Sequence, residues 1–137
     1  MNWLALGLAA ASSLLIGFIW YHPKVFGTVW MQSIGLTRED TEKNFNMTLM
    51  FGGSFLLALL AAVPLQYMVS HPDENLSPFV HGFYHGAMYS GVMLALPVIG
   101  VNAIYEQRSW KYVLINAGYW IVTLGVMGGI LASFYRA

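Results

Sequence analysis

Cysteine is absent from the 137 residues, and charge is scarce. The first absence excludes disulfides, thiolate metal sites, iron–sulfur clusters, cysteine nucleophiles and S-palmitoylation. The second decides the class. Six basic and six acidic residues make up 9% of the chain, where a soluble domain carries about 25%. Twelve charged side chains cannot cover a soluble fold of this size. Net charge is zero, so no charge-driven partner is implied and nucleic-acid binding is excluded. There is no glycine-rich phosphate loop, no spaced nucleophile–base pair, and no Asp or Glu deep in an apolar stretch. Proton-coupled pumps and small cation antiporters usually need such a carboxylate. The chain is not expected to be an enzyme. What is there instead is apolar: 58% of residues, with a mean hydropathy of +0.60. This composition points to an integral membrane protein and excludes disorder and a water-soluble enzyme.

The charges fall in short clusters, and the gaps between clusters are the spans. No Asp, Glu, Lys or Arg occurs in 1–22, 45–70, 76–105 or 112–135. Each gap exceeds the ~20 residues a helix needs to cross the hydrocarbon. Barrel strands would be ~10 residues long and alternate in polarity. The expected fold is all-α: one domain of four transmembrane helices at about 2–21, 45–70, 78–105 and 110–134. The first span has no basic residue before its apolar run and continues into Trp20, Tyr21 and Pro23. It reads as a retained helix and not a cleaved signal. Lys24, Arg38 and Lys43 lie in the first loop and Arg108 and Lys111 in the third, against Arg136 alone on the other side. The positive-inside rule then puts both termini on the non-cytoplasmic side, in a bacterial inner membrane.

The first loop has structure of its own. Val25, Phe26, Val29, Trp30 and Ile34 recur at helical spacing, which predicts a short amphipathic interfacial helix over 24–34. Gly35 can stop it in the left-handed conformation. Thr37 and Asp40 have capping-box spacing and are expected to open the second span. Ser77 and Pro78 have the form of an N-cap and first helical residue for the third. Pro64 and Pro97 lie inside spans and should kink them.

Two segments carry a resemblance. GFIWYHPKVFGTVWMQSIGLTRED, Gly17 to Asp40, and YEQRSWKYVLINAGYWIVTLGVMGGILA, Tyr105 to Ala132, resemble the opening and closing signatures of the family catalogued as domain of unknown function 1761. The resemblance implies a small four-helix membrane protein. It implies no activity, cofactor or catalytic residue.

The chemical feature that stands out is HGFYHG, His81 to Gly86. His81 and His85 are four residues apart and share a helix face. Neutral imidazoles so placed can bind zinc or copper, or ligate haem. The topology puts His71 on the same side, with Asp73 and Glu74 in the adjoining loop, so three histidines and two carboxylates would gather at one membrane face. The plainer reading, which carries no cofactor, is an interfacial pair hydrogen-bonded to water, headgroups or a neighbouring helix. Small residues recur at helix-packing spacing: Gly82, Gly86 and Ser90; Ala87, Gly91 and Ala95; Gly125 and Gly129; Gly118, Gly125 and Ala132. Such residues let helix backbones approach closely, within the chain or between copies. Asn102 and Asn116 fall at similar depth on adjacent spans, which suggests an interhelical hydrogen bond. Trp3, Trp20, Tyr21, Trp30, Tyr67, Trp110, Tyr112 and Tyr135 fit interfacial belts.

Three functions suit this pattern. One is a self-associating structural or accessory component, in a homo-oligomer or docked on a larger membrane complex. The second is a small homo-oligomeric transport or permeation module. The third is a metal- or haem-binding protein using the outer-side histidines. The small-residue faces and the lack of deep charge favour the first.

Overall fold

The computed structural model describes residues 1–71 and 73–135; Arg136, counted in the orientation reading, lies outside the described residues. The chain opens with α1 (Trp3–Trp20), then a π-helical turn at Pro23–Gly27, α2 (Thr28–Ser33), α3 (Arg38–Asn44) and α4 (Met47–Val69). A third span, Pro78–Tyr105, is made of α5 (Pro78–His85), a π-helical stretch (Gly86–Ala95) and α6 (Leu96–Tyr105). The last helix is α7 (Trp110–Ser133). Four of these helical runs, α1, α4, the third span and α7, are long and apolar enough to cross a membrane.

Each span begins at a polar side chain that accepts a backbone N–H three residues on. Asn2 takes Ala5, Asn46 takes Leu49, Ser77 takes Val80 and Ser109 takes Tyr112. Such caps satisfy donors that no helical carbonyl can reach. The Thr37–Asp40 capping box forms with both reciprocal bonds, but it opens α3 and not the second span. The helix breaks at Phe45, which is extended, and Asn46 caps α4 anew. The physical reason is composition: α3 is REDTEKN, charged throughout, closed on itself by the Arg38–Glu42 and Lys43–Glu39 pairs. The interfacial segment is helical over the expected range, but its first turn has π geometry. Gly27 packs so closely that a Cβ there would lie 2.1 Å from the Tyr21 carbonyl oxygen, and its N–H bonds the His22 carbonyl five residues back at 3.0 Å. Gly35 then turns the chain with φ +72°, the left-handed region glycine enters without penalty. Pro97 sits near the start of α6, just after the π-helical stretch. Its ring crowds the carbonyl four residues back and it has no N–H to give; the chain upstream bonds in the i→i+5 pattern instead, as the Leu96 N–H to the Gly91 carbonyl shows.

α7 is the centre of the bundle, with the third span against one side and α1 and α4 against the other. On the α1–α4 side the core is Ala5, Leu6, Ala9, Ala62, Leu65 and Val69 against Leu124, Met127 and Leu131. On the other side backbone meets backbone. A Cβ on Gly82 would sit 2.1 Å from the Gly128 oxygen, one on Gly128 2.3 Å from the Gly82 oxygen, and one on Gly86 2.0 Å from the Leu124 oxygen. Either side of this crossing the antiparallel helices exchange shape: the Phe83 ring lies on Gly125 and the Phe79 ring on Gly129. Gly91 packs on Ile121 and Gly118 on Trp20. All six glycines singled out from spacing thus make contacts inside one chain.

The asparagines do not pair as expected. Asn116 accepts from the Tyr21 hydroxyl at 2.6 Å, while Asn102 is exposed and makes no side-chain bond among the described residues. Trp20 Nε1–H donates to the Ile115 carbonyl at 3.0 Å and the Tyr119 hydroxyl to the Ser13 carbonyl at 2.9 Å. Trp20 and Tyr21 therefore tie α1 to α7 as well as marking an interface.

The crossing generates a contrast. Gly86→Ala puts a methyl into a carbonyl and should destabilise by about 1–3 kcal/mol, the usual cost of overpacking. Gly100→Ala meets nothing within 4 Å and should be neutral or slightly stabilising, since glycine weakens a helix interior. Thermal unfolding in detergent distinguishes them; equal melting temperatures would show that the crossing yields freely.

Candidate metal centre

The histidines are placed by three local features. Ser77 caps α5 and Pro78 starts it, which fixes the phase of the helix. Gly82 must face α7, as its contact with Gly128 requires, and this turns the neighbouring His81 into the protein, where it is 3% exposed. His85 follows one turn on and is half-buried. His71 comes from the second loop, two residues after α4 ends at Val69, and is exposed.

The structure brings these three together. One nitrogen from each lies within 4.8 Å of the others. Ring centroids are 4.2 Å apart for His81–His85, 4.7 Å for His71–His81 and 5.3 Å for His71–His85. Nitrogens around a tetrahedral zinc lie about 3.4 Å apart, given bonds of roughly 2.0–2.1 Å. Rotation about the histidine side-chain bonds would close that difference.

Asp73 Oδ2 lies 3.8 Å from His81 Nδ1. The Asn75 backbone N–H, donated to Asp73 at 2.7 Å, holds this carboxyl below its ordinary range. Asp73 therefore stays a carboxylate at neutral pH and below. Glu74, its neighbour, makes no ion pair among the described residues. A cavity of about 140 Å³ opens here, lined by His71, Asp73, His81 and Tyr135 with Val69, Leu76, Pro78 and Ala132. Ligand pockets for larger molecules run about 300–1,000 Å³. This volume suits an ion and its water and is smaller than a porphyrin needs.

Hydrogen bonding leaves lone pairs available. His85 Nδ1 is 2.9 Å from the His81 carbonyl; a carbonyl only accepts, so Nδ1 carries the proton and Nε2 is left as a base. Both ring nitrogens of buried His81 lack a hydrogen-bond partner among the described residues. A buried polar atom without a partner costs about 1–3 kcal/mol, and native folds rarely leave one so. Tyr89 sits 5.3 Å, ring to ring, from His85. It was legible in principle: Tyr89 is four residues beyond His85 on the same face. His22, by contrast, accepts the Lys24 backbone N–H at 3.1 Å and shapes the first-loop turn.

A family model described as a protein of unknown function, DUF1761, matches residues 4–132. The chain belongs to the DUF1761 family. The match covers all three histidines and Asp73 and stops short of Tyr135, so within DUF1761 the ion-sized cavity is built mainly from family-matched segments. No curated protein and no solved structure matches the chain.

The unpartnered imidazole makes an unusual stability prediction. Replacing a buried, unsatisfied polar group by an apolar one of similar shape is near neutral or stabilising. His81→Leu should match or exceed the melting temperature of metal-free wild type. A clear loss of stability in chelator would show that the imidazole is already satisfied.

Proposed function

We propose that this protein is an integral membrane metal-binding protein, with His71, His81 and His85 as the ligand set. The observation that carries this is the convergence of three imidazoles, one of them buried with both nitrogens unpaired. Three nitrogen donors, a nearby carboxylate and no thiolate suit zinc or copper(II) better than soft copper(I) or hard magnesium. Asp73, whose carboxylate lies 3.8 Å from His81 Nδ1, supplies the negative charge that draws a cation to the face. The uncharged Ala- and Gly-rich core supports capture at the face over passage through the bundle.

In this reading the histidine face and both termini lie on the non-cytoplasmic side of a bacterial inner membrane, on the strength of the basic first and third loops. Self-association as an accessory component of a larger complex is the second reading. It is favoured by a different face from the one the spacing suggested. Along α4, Gly52 has open space around it, and Leu49, Leu56 and Leu60 are exposed.

Protein purified without chelator and dialysed against zinc or copper(II) should bind one equivalent by mass spectrometry of metals. His81→Ala with His85→Ala should abolish binding. Protons compete for the same lone pairs, so affinity should fall as pH is lowered. Wild type that binds no stoichiometric ion removes the proposal. For orientation, cysteines placed at positions 75 and 108 should differ in intact cells: the position-75 thiol reacts with an impermeant reagent and the position-108 thiol does not. The reverse pattern inverts the topology.

A further inference from the structure

The two ends of the bundle are packed differently. Toward the second loop, α1 and α4 meet through Ala5, Ala9, Ala62 and Leu65. Toward the first loop they part, and no residue of α4 before Ala58 is buried. The gap is a cavity of about 550 Å³ with α7 as its floor. Phe18, Phe51, Leu57 and Trp120 line it within the spans, and Tyr21 and Trp30 stand at its first-loop end.

The chemistry of the walls narrows the occupant. The Tyr21 hydroxyl is committed to Asn116 and the Tyr119 hydroxyl to the Ser13 carbonyl. The rest of the lining is mostly hydrocarbon and aromatic ring, with the Ser54 hydroxyl, the free His22 nitrogen and the Trp30 and Trp120 N–H groups as its polar exceptions. An apolar chain fits. The rim has the opposite character. Arg38 and Lys43 are neutralised by Glu42 and Glu39 on their own helix. Lys24, exposed and directly after the lining residues His22 and Pro23, has no carboxylate partner among the described residues. An unpaired cation thus follows the lining residues directly in sequence, at the aromatic end of an apolar cleft.

We propose that this cleft is a binding site for one anionic phospholipid, with an acyl chain between α1 and α4 and the phosphate on Lys24. Charge complementarity selects the headgroup and the uncharged wedge selects the chain. The site is independent of the histidines, which lie at the other end of the bundle. It also agrees with the basic loops facing the cytoplasmic leaflet, where anionic lipid attracts juxtamembrane lysines.

Native mass spectrometry of detergent-solubilised protein incubated with phosphatidylglycerol and phosphatidylcholine of matched chains tests this. Wild type should retain one lipid per chain and prefer phosphatidylglycerol. Lys24→Gln, at an exposed position that disturbs no packing, should reduce that preference about fivefold, the contribution expected of one lysine near an anionic surface. Ser54→Phe, which fills the cleft from α4, should reduce retention of both lipids. Equal retention of the two lipids by wild type overturns the proposal. So does a preference unchanged in Lys24→Gln, retention unchanged in Ser54→Phe, or recovery of an isoprenoid quinone in place of phospholipid.

Discussion

Everything on the third-span side of this molecule depends on the contact between the Gly82 and Gly128 backbones. In a bilayer, lipid tails are as apolar as leucine, so helices gain little from hiding side chains from solvent. They associate by fit. Here fit means carbonyl against α-carbon, with a methyl group excluded from either side. Phe79 and Phe83 then lie over Gly129 and Gly125, filling the grooves next to the crossing with rings. The distance between two helices and their rotation are both set by one pair of residues without side chains.

The histidine cluster is a by-product of that rotation. With Gly82 turned to α7, its neighbour His81 has nowhere to go but inward, and the following turn brings His85 alongside. The loop after α4 needs only to deliver His71 and Asp73 to the same end. The cluster is therefore assembled from one helix and one loop. In the proposed reading the helix supplies two donors and the loop the third.

The spans were legible because membrane topology is written in charge, and gaps longer than twenty residues admit one reading. The histidine pair was legible from its four-residue spacing, and His71 was legible at the same end because the second loop joins it directly to the third span. Other features were hidden by rules that do not discriminate. Small-residue spacing points to Gly125 and Gly129 and passes over Gly128, although Gly128 makes the backbone contact; which glycine meets the neighbour depends on the crossing point, a global property. Capping spacing found Thr37 but could not say that Asn46 would cap a second helix two residues after α3 ends at Asn44. Asp73 and Glu74 were equivalent on paper. The Asn75 N–H, donated to Asp73, and the proximity to His81 tell them apart. Asn102 was placed by its depth counted from the third loop, and depth does not fix the face: Asn102 is exposed, while Asn116 bonds Tyr21.

That interruption has a consequence for how the third span can change. Across Gly86–Ala95 the backbone bonds five residues back instead of four, so the angular positions of residues above and below it are out of phase. A single helical wheel drawn through His81, His85 and Asn102 has no physical meaning. The two halves are separate modules joined by a slip coupling. Substitutions that retune the ion-facing half leave the orientation of the half beside the third loop untouched, while a one-residue deletion within the coupling would turn one half against the other.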